Sequence, residues 1–120
     1  MYKVIAVDDD IEVIKWLRSL LESSDDFEIV GATVNSSEAI RLVESLKPDI
    51  LISDVYLPQT DGFELARYIR KNCDGTKVIL ISAHKDKVYE RLAKEEGALT
   101  FIPKTSLSLN TLRQALQPQL

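Results

Sequence analysis

The sequence predicts an α/β fold, a doubly wound parallel sheet of five strands flanked by five helices in three layers. Two observations predict it. Five short, β-branched apolar runs alternate with longer segments of helical period, which is the pattern of repeated βα units. The first, third and fourth runs are also nearly continuous in apolar residues, as strands buried on both faces are. The 120 residues, 45% hydrophobic and 28% charged, suit one globular domain over residues 1–120 around a single core.

The first strand is expected at 3–7. After it, Val13, Leu17, Leu20 and Leu21 recur on one side of a helix, with Glu12, Lys15, Arg18 and Glu22 largely elsewhere. The second strand covers 27–32. A helix then begins near Asn35, where Glu38 is placed for a capping-box exchange, and carries Ala39, Ile40, Val43 and Leu46 toward the core. Pro48 helps to end it. The third strand spans 49–53 and its helix about 61–71. The fourth spans 77–81 and its helix about 86–96, closed by Gly97, which supplies the left-handed conformation common just past a helix end. The fifth strand is 99–102. A final helix from about Ser108 presents Leu109, Leu112, Ala115 and Leu116, and Pro118 marks a boundary beyond which a linker could follow.

Composition excludes several roles. No apolar run approaches the ~20 residues of a membrane-spanning helix, and the segment after Met1 lacks the layout of a cleavable leader, so a cytoplasmic protein is expected. Cys73 is the single cysteine, and no Cys/His cluster has zinc spacing. A net charge of −4 argues against direct binding of nucleic acid or an anionic membrane by this segment. Partners are expected to be proteins.

The chemistry gathers immediately after the apolar runs, because ligands of open parallel sheets bind beyond the carboxyl ends of the strands. Val7 is followed by Asp8 and Asp9, Ser53 by Asp54, Ile81 by Ser82, and Ile102 by Pro103 and Lys104. Singly, each has a structural explanation: Asp10 reads as a helix cap, Ser82 as a turn residue and Lys104 as a surface charge. Together they point elsewhere. Three neighbouring carboxylates repel one another unless a cation offsets them, so Asp8, Asp9 and Asp54 imply a hard, oxygen-loving divalent ion. Magnesium, which binds through few carboxylates plus phosphate oxygens, fits a small open cluster better than calcium does. Lys104 adds a second positive charge and Ser82 a directed hydrogen bond, which suits a phosphoryl group. Asp54, alone at its strand end, is the candidate nucleophile, with Asp8 and Asp9 as a metal-binding pair.

At these residues the chain resembles the receiver domain of two-component response regulators. The resemblance runs from Val4-Ile5-Ala6-Val7-Asp8-Asp9-Asp10 to the final helix. Its most specific stretch is Ile52-Ser53-Asp54-Val55-Tyr56-Leu57-Pro58-Gln59-Thr60-Asp61-Gly62-Phe63-Glu64-Leu65. It implies the flavodoxin-like sheet order 2-1-3-4-5. It further implies Asp54 as phosphoacceptor, Asp9 and Asp54 as direct magnesium ligands, Asp8 acting through a water, and the Tyr56 carbonyl completing the set. Ser82 would be the switch hydroxyl and Lys104 the lysine that pairs with the phosphoryl group. Phe101 stands where the family has a rotating aromatic, or is an ordinary core aromatic. Tyr56 and His84 flank the site, where they would tune phosphoryl lifetime; His84 also reads as an exposed loop residue. One departure is visible: receivers usually place proline directly after the lysine in a cis linkage, whereas here Pro103 precedes Lys104 and Thr105 follows. A cis bond after Lys104 is not expected.

The resemblance implies a histidine kinase as phosphodonor and an interaction surface at the fourth helix, fifth strand and fifth helix. That surface would serve a homodimer, an output domain or an effector protein. The segment from Gly97 to Leu116 resembles the subgroup whose receivers precede a helix-turn-helix DNA-binding domain. Modification would be self-catalysed, without turnover of a substrate. Three alternatives differ in sequence. A magnesium-dependent aspartyl phosphatase characteristically carries a second aspartate where Tyr56 stands. A flavin carrier needs a hydroxyl- and glycine-rich loop where Asp8 and Asp9 stand. A degenerate docking receiver does not need the intact set of Asp8, Asp9, Asp54, Ser82 and Lys104.

Overall fold

The computed structural model describes residues 1–117, so the boundary expected at Pro118 lies outside the described residues. The chain runs β1 (Tyr2–Val7), α1 (Ile11–Glu22), β2 (Phe27–Thr33), α2 (Ser36–Leu46), β3 (Ile50–Asp54), α3 (Gly62–Asn72), β4 (Lys77–Ser82), α4 (Val88–Glu95), β5 (Thr100–Pro103) and α5 (Leu109–Leu116). A short 3-10 turn, Lys104–Ser106, follows β5. The strands are parallel and lie in the order β2-β1-β3-β4-β5, the fold class and order expected from sequence.

Alternation along the central strands builds two cores. Ile5, Val7, Leu51, Leu80 and Phe101 pack on one face with Ala39 and Val43 of α2, Leu65, Ala66 and Ile69 of α3, and Ala93 of α4. Val4, Ala6, Ile50, Ile52, Ile79, Ile81 and Ile102 pack on the other with Leu17 and Leu21 of α1 and Leu112 of α5. Side chains on both faces of β1, β3 and β4 therefore leave water, the reason those runs are apolar throughout.

Local signals set most helix starts. Asp10, Asn35, Asp61 and Ser108 each accept a hydrogen bond from a backbone N–H of the first turn of α1, α2, α3 and α5. The reciprocal capping box expected at Asn35 and Glu38 is one-sided, because Asn35 accepts from the Glu38 N–H. The full box lies at Ser108 and Thr111. Helix α4 begins at Val88, two residues later than expected, because Asp86 spends its carboxylate on the Val88 N–H in a turn while Lys87 offers no cap. Leu46 faces β2 at Gly31 as expected but stays exposed at the end of α2, and Lys47, at φ 48°, ends the helix in the left-handed conformation. Gly97 adopts φ 87° as expected.

Arg67 of α3 holds Glu96, the residue that closes α4, at 2.6 Å. The hydrogen bond from Arg67 keeps the Glu96 carboxyl below its ordinary 4.5. A depressed carboxyl stabilises the fold above its unfolded value, and that contribution is lost as pH falls through the folded one. Arg67→Gln should therefore lower the urea midpoint slightly at neutral pH, less so in high salt. The variant and parent should converge well below pH 4.5. A difference undiminished in acid contradicts this account of the pair.

Candidate functional site

The register of the sheet brings the candidate residues together. Val7 pairs with Ser53, so Asp8 and Asp54 leave β1 and β3 side by side; Ser82 pairs with Pro103, which delivers Lys104 to the same edge. One carboxylate oxygen from each of Asp8, Asp9 and Asp54 lies within 4.8 Å of the others. Asp8 and Asp54 are buried and Asp9 is exposed. Lys104 Nζ stands 2.9 Å from Asp8 Oδ2 and 3.2 Å from Asp54 Oδ2, bridging the two. The turn Lys104–Ser106 provides that reach with the peptide bond after Lys104 trans.

Backbone groups fix the carboxylates. Asp8 Oδ1 accepts the Asp10 N–H at 2.9 Å, and Asp54 Oδ1 accepts the Tyr56 N–H at 3.2 Å. Burial pushes the Asp8 carboxyl up, against the opposing pull of the Asp10 N–H and Lys104. Burial opposes the charge on Lys104 as well, but its two carboxylate partners outweigh burial and raise it. Asp8 Oδ2 is buried, and the Lys104 ammonium is its charged partner. Three clustered carboxylates, offset by the single ammonium of Lys104, are a donor set suited to a hard divalent cation.

The remaining residues line the rim. Ser82 is buried, and its hydroxyl accepts the His84 N–H at 3.1 Å. Phe101 is 3% exposed, packed in the core that also holds Val55 and against Tyr89. Tyr56 and His84 are exposed, their rings edge to face at 5.4 Å. Asp10 takes the capping role, accepting the Glu12 N–H. Two contributors were not legible as site residues. Gly62 packs directly on the backbone of Asp54, and Tyr89 gathers Tyr56, Phe63, His84 and Phe101 around its ring. The Asp61-Gly62 pair signalled a helix start but not this contact, and a lone tyrosine in an amphipathic helix carries no signal of its own.

Fold and site together define an acidic, cation-ready centre at the carboxyl edge of a doubly wound sheet. Residues 4–117 match the response regulator receiver domain family. The chain is 36% identical over 86 residues, 72% of its length, to the transcriptional regulatory protein YdfI of Bacillus subtilis. It is 35% identical over 107 residues, 88% of its length, to a protein-glutamate methylesterase/protein-glutamine glutaminase of Methanococcoides burtonii. These matches span only 40% and 30% of those relatives. The signal receiver domain of the response regulator NarL of Mycobacterium tuberculosis superposes with a TM-score of 0.87 at 26% identity, covering 98% of each chain. The chain belongs to the response regulator receiver domain family, a family of signalling modules. Among the described residues no helix is long and apolar enough to cross a membrane.

Proposed function

We propose that this chain is a magnesium-dependent phosphoacceptor, residues 1–120 acting as one receiver domain, modified on Asp54 by a partner histidine kinase. One observation carries the reading: Asp8, Asp9 and Asp54 meet within 4.8 Å while Lys104 bridges Asp8 and Asp54. Asp8, Asp9, Asp54 and the Tyr56 carbonyl would hold the metal, which when bound supplies positive charge against phosphate oxygens.

An Asp54 oxygen attacks phosphorus, the bond from phosphorus to the kinase imidazole breaks, and the electron pair returns to the imidazole nitrogen. Lys104, already placed between two carboxylates, neutralises charge on the incoming phosphoryl group. The product carries about −1.5 to −2 of added charge. That charge offers the Ser82 O–H an acceptor, and turning the hydroxyl to donate to it draws its oxygen from the His84 N–H it now accepts, which passes the change into the loop before α4. Phe101, buried beneath Tyr89, lies on the route from that loop to β5. The face of α4, β5 and α5 then binds a second copy, an output domain or an effector differently in the two states.

The relatives include a transcriptional regulator and a methylesterase, so the output resides in whatever domain or partner that face meets. The chain works in the cytoplasm, where a kinase phosphodonor is available, and turns over no substrate. Titration calorimetry with magnesium tests the centre. Asp9→Asn should weaken binding at least about tenfold, the loss that even outer-shell partners produce. Equal affinity in variant and parent would remove the metal-centre basis of this reading.

A further inference from the structure

Tyr89 takes no part in the carboxylate cluster, yet it is the ring on which the rim of the site converges. It stacks on Phe63 of α3 at 6.2 Å, lies 6.2 Å from His84 and 5.4 Å from the buried Phe101, and meets Tyr56 edge to face at 6.3 Å. Its hydroxyl is hydrogen-bonded to the hydroxyl of Tyr56. That bond joins α4 to the residue whose own N–H is spent on Asp54 Oδ1. The attachment matters because α4 has no side-chain cap at Lys87, and the loop before it, 83–87, is exposed. The aromatic contacts and the hydroxyl pair therefore bind the first turn of α4 to the rim. The Tyr56 hydroxyl holds the Tyr89 phenol above its ordinary value, as expected for a shared hydrogen bond.

From this arrangement, and resting on the phosphoacceptor reading above, we propose that Tyr89 is a positioning residue for the phosphoryl site: its hydroxyl fixes the ring of Tyr56, the residue whose N–H meets Asp54, and limits the approach of hydrolytic water. In the step it restrains, a water oxygen bonds to phosphorus and the bond from phosphorus to the Asp54 oxygen breaks. The electron pair returns to the carboxylate, and phosphate leaves with the protons of the water, one of which passes to solvent. Without the hydroxyl pair the Tyr56 ring is free to swing into solvent, since it is already 50% exposed. Water then reaches phosphorus more often.

The test is a double-variant cycle on phosphoryl lifetime. The parent, Tyr56→Phe, Tyr89→Phe and the double variant are phosphorylated with acetyl phosphate and magnesium, freed of donor, and followed by phosphate-affinity electrophoresis. Each single variant should lose phosphate about three- to tenfold faster, the rate equivalent of one net hydrogen bond. The double variant should match the faster single, because both changes break the same bond. Phenylalanine keeps the ring packing, so each urea midpoint should fall by no more than the loss of that one hydrogen bond allows, and the double variant's no further than the lower single's, which separates positioning from general loosening. A Tyr89→Phe lifetime equal to that of the parent, or single effects that multiply in the double variant, overturns this inference and leaves the phosphoacceptor reading standing. A parent that takes up no phosphate overturns both.

Discussion

Asp54→Asn should take up phosphate from acetyl phosphate, with magnesium present, on the order of a thousandfold more slowly than the parent, and in practice not detectably. Asparagine keeps the size of the side chain and an oxygen for the Tyr56 N–H, which reaches Asp54 Oδ1 at 3.2 Å. The fold is therefore preserved, as circular dichroism and the urea midpoint can verify. What disappears is the anionic oxygen proposed to attack phosphorus, which Lys104 approaches at 3.2 Å. Asp8 and Asp9 cannot substitute. Asp8 Oδ1 is engaged by the Asp10 N–H, its other oxygen lies against Lys104, and Asp9 is exposed at the end of a different strand. Phosphate uptake by the variant at a comparable rate would place the nucleophile elsewhere.

Gly62→Ala should produce the largest loss of stability of any single methyl addition near the site. A Cβ at Gly62 would stand 2.4 Å from the carbonyl oxygen of Asp54 and 2.8 Å from Val55 Cα. These are backbone atoms at the end of β3. They have no rotamer to escape into, unlike the Arg70 side chain that a Cβ at Gly97 would meet. Relief requires α3 to back away from the sheet, straining the Gly62 N–H to Val55 carbonyl bond at 2.6 Å and the packing of the buried Leu65, Ala66 and Ile69. The expected cost is about 3 kcal/mol, the upper end of ordinary overpacking, with a similar urea slope and a lower midpoint. Because the displaced atoms belong to Asp54 and its neighbour, phosphate uptake should slow as well. A variant within about 0.5 kcal/mol of the parent, the range of an uninvolved surface change, contradicts the contact.

The residues that were legible in the sequence share a physical reason. A carboxylate following a fully apolar strand has few places to go, so Asp8 and Asp54 announced the edge on which they stand, and parallel pairing of Val7 with Ser53 did the rest. Helix caps at Asp10, Asn35, Asp61 and Ser108 were local signals acting over two or three residues. Long-range features were not readable in the same way. The reach of Lys104 depends on the turn Lys104–Ser106, which apolar periodicity does not encode. The role of Tyr89 depends on residues from α3, β5 and two loops arriving at one ring, a property of the tertiary arrangement alone. Leu46 followed the helical period and lies against Gly31 of β2, yet as the last residue of α2 it stays partly open to solvent.

The expectations about phosphate descend from the meeting of Asp8, Asp9, Asp54 and Lys104 at one edge. Intact-mass spectrometry of the protein after incubation with acetyl phosphate, once with magnesium and once with a chelator, addresses that meeting most directly. The account predicts a gain of one phosphoryl group with magnesium, mapped to the peptide containing Asp54, and none with the chelator. Equal gain in both samples, or no gain in either, would contradict it.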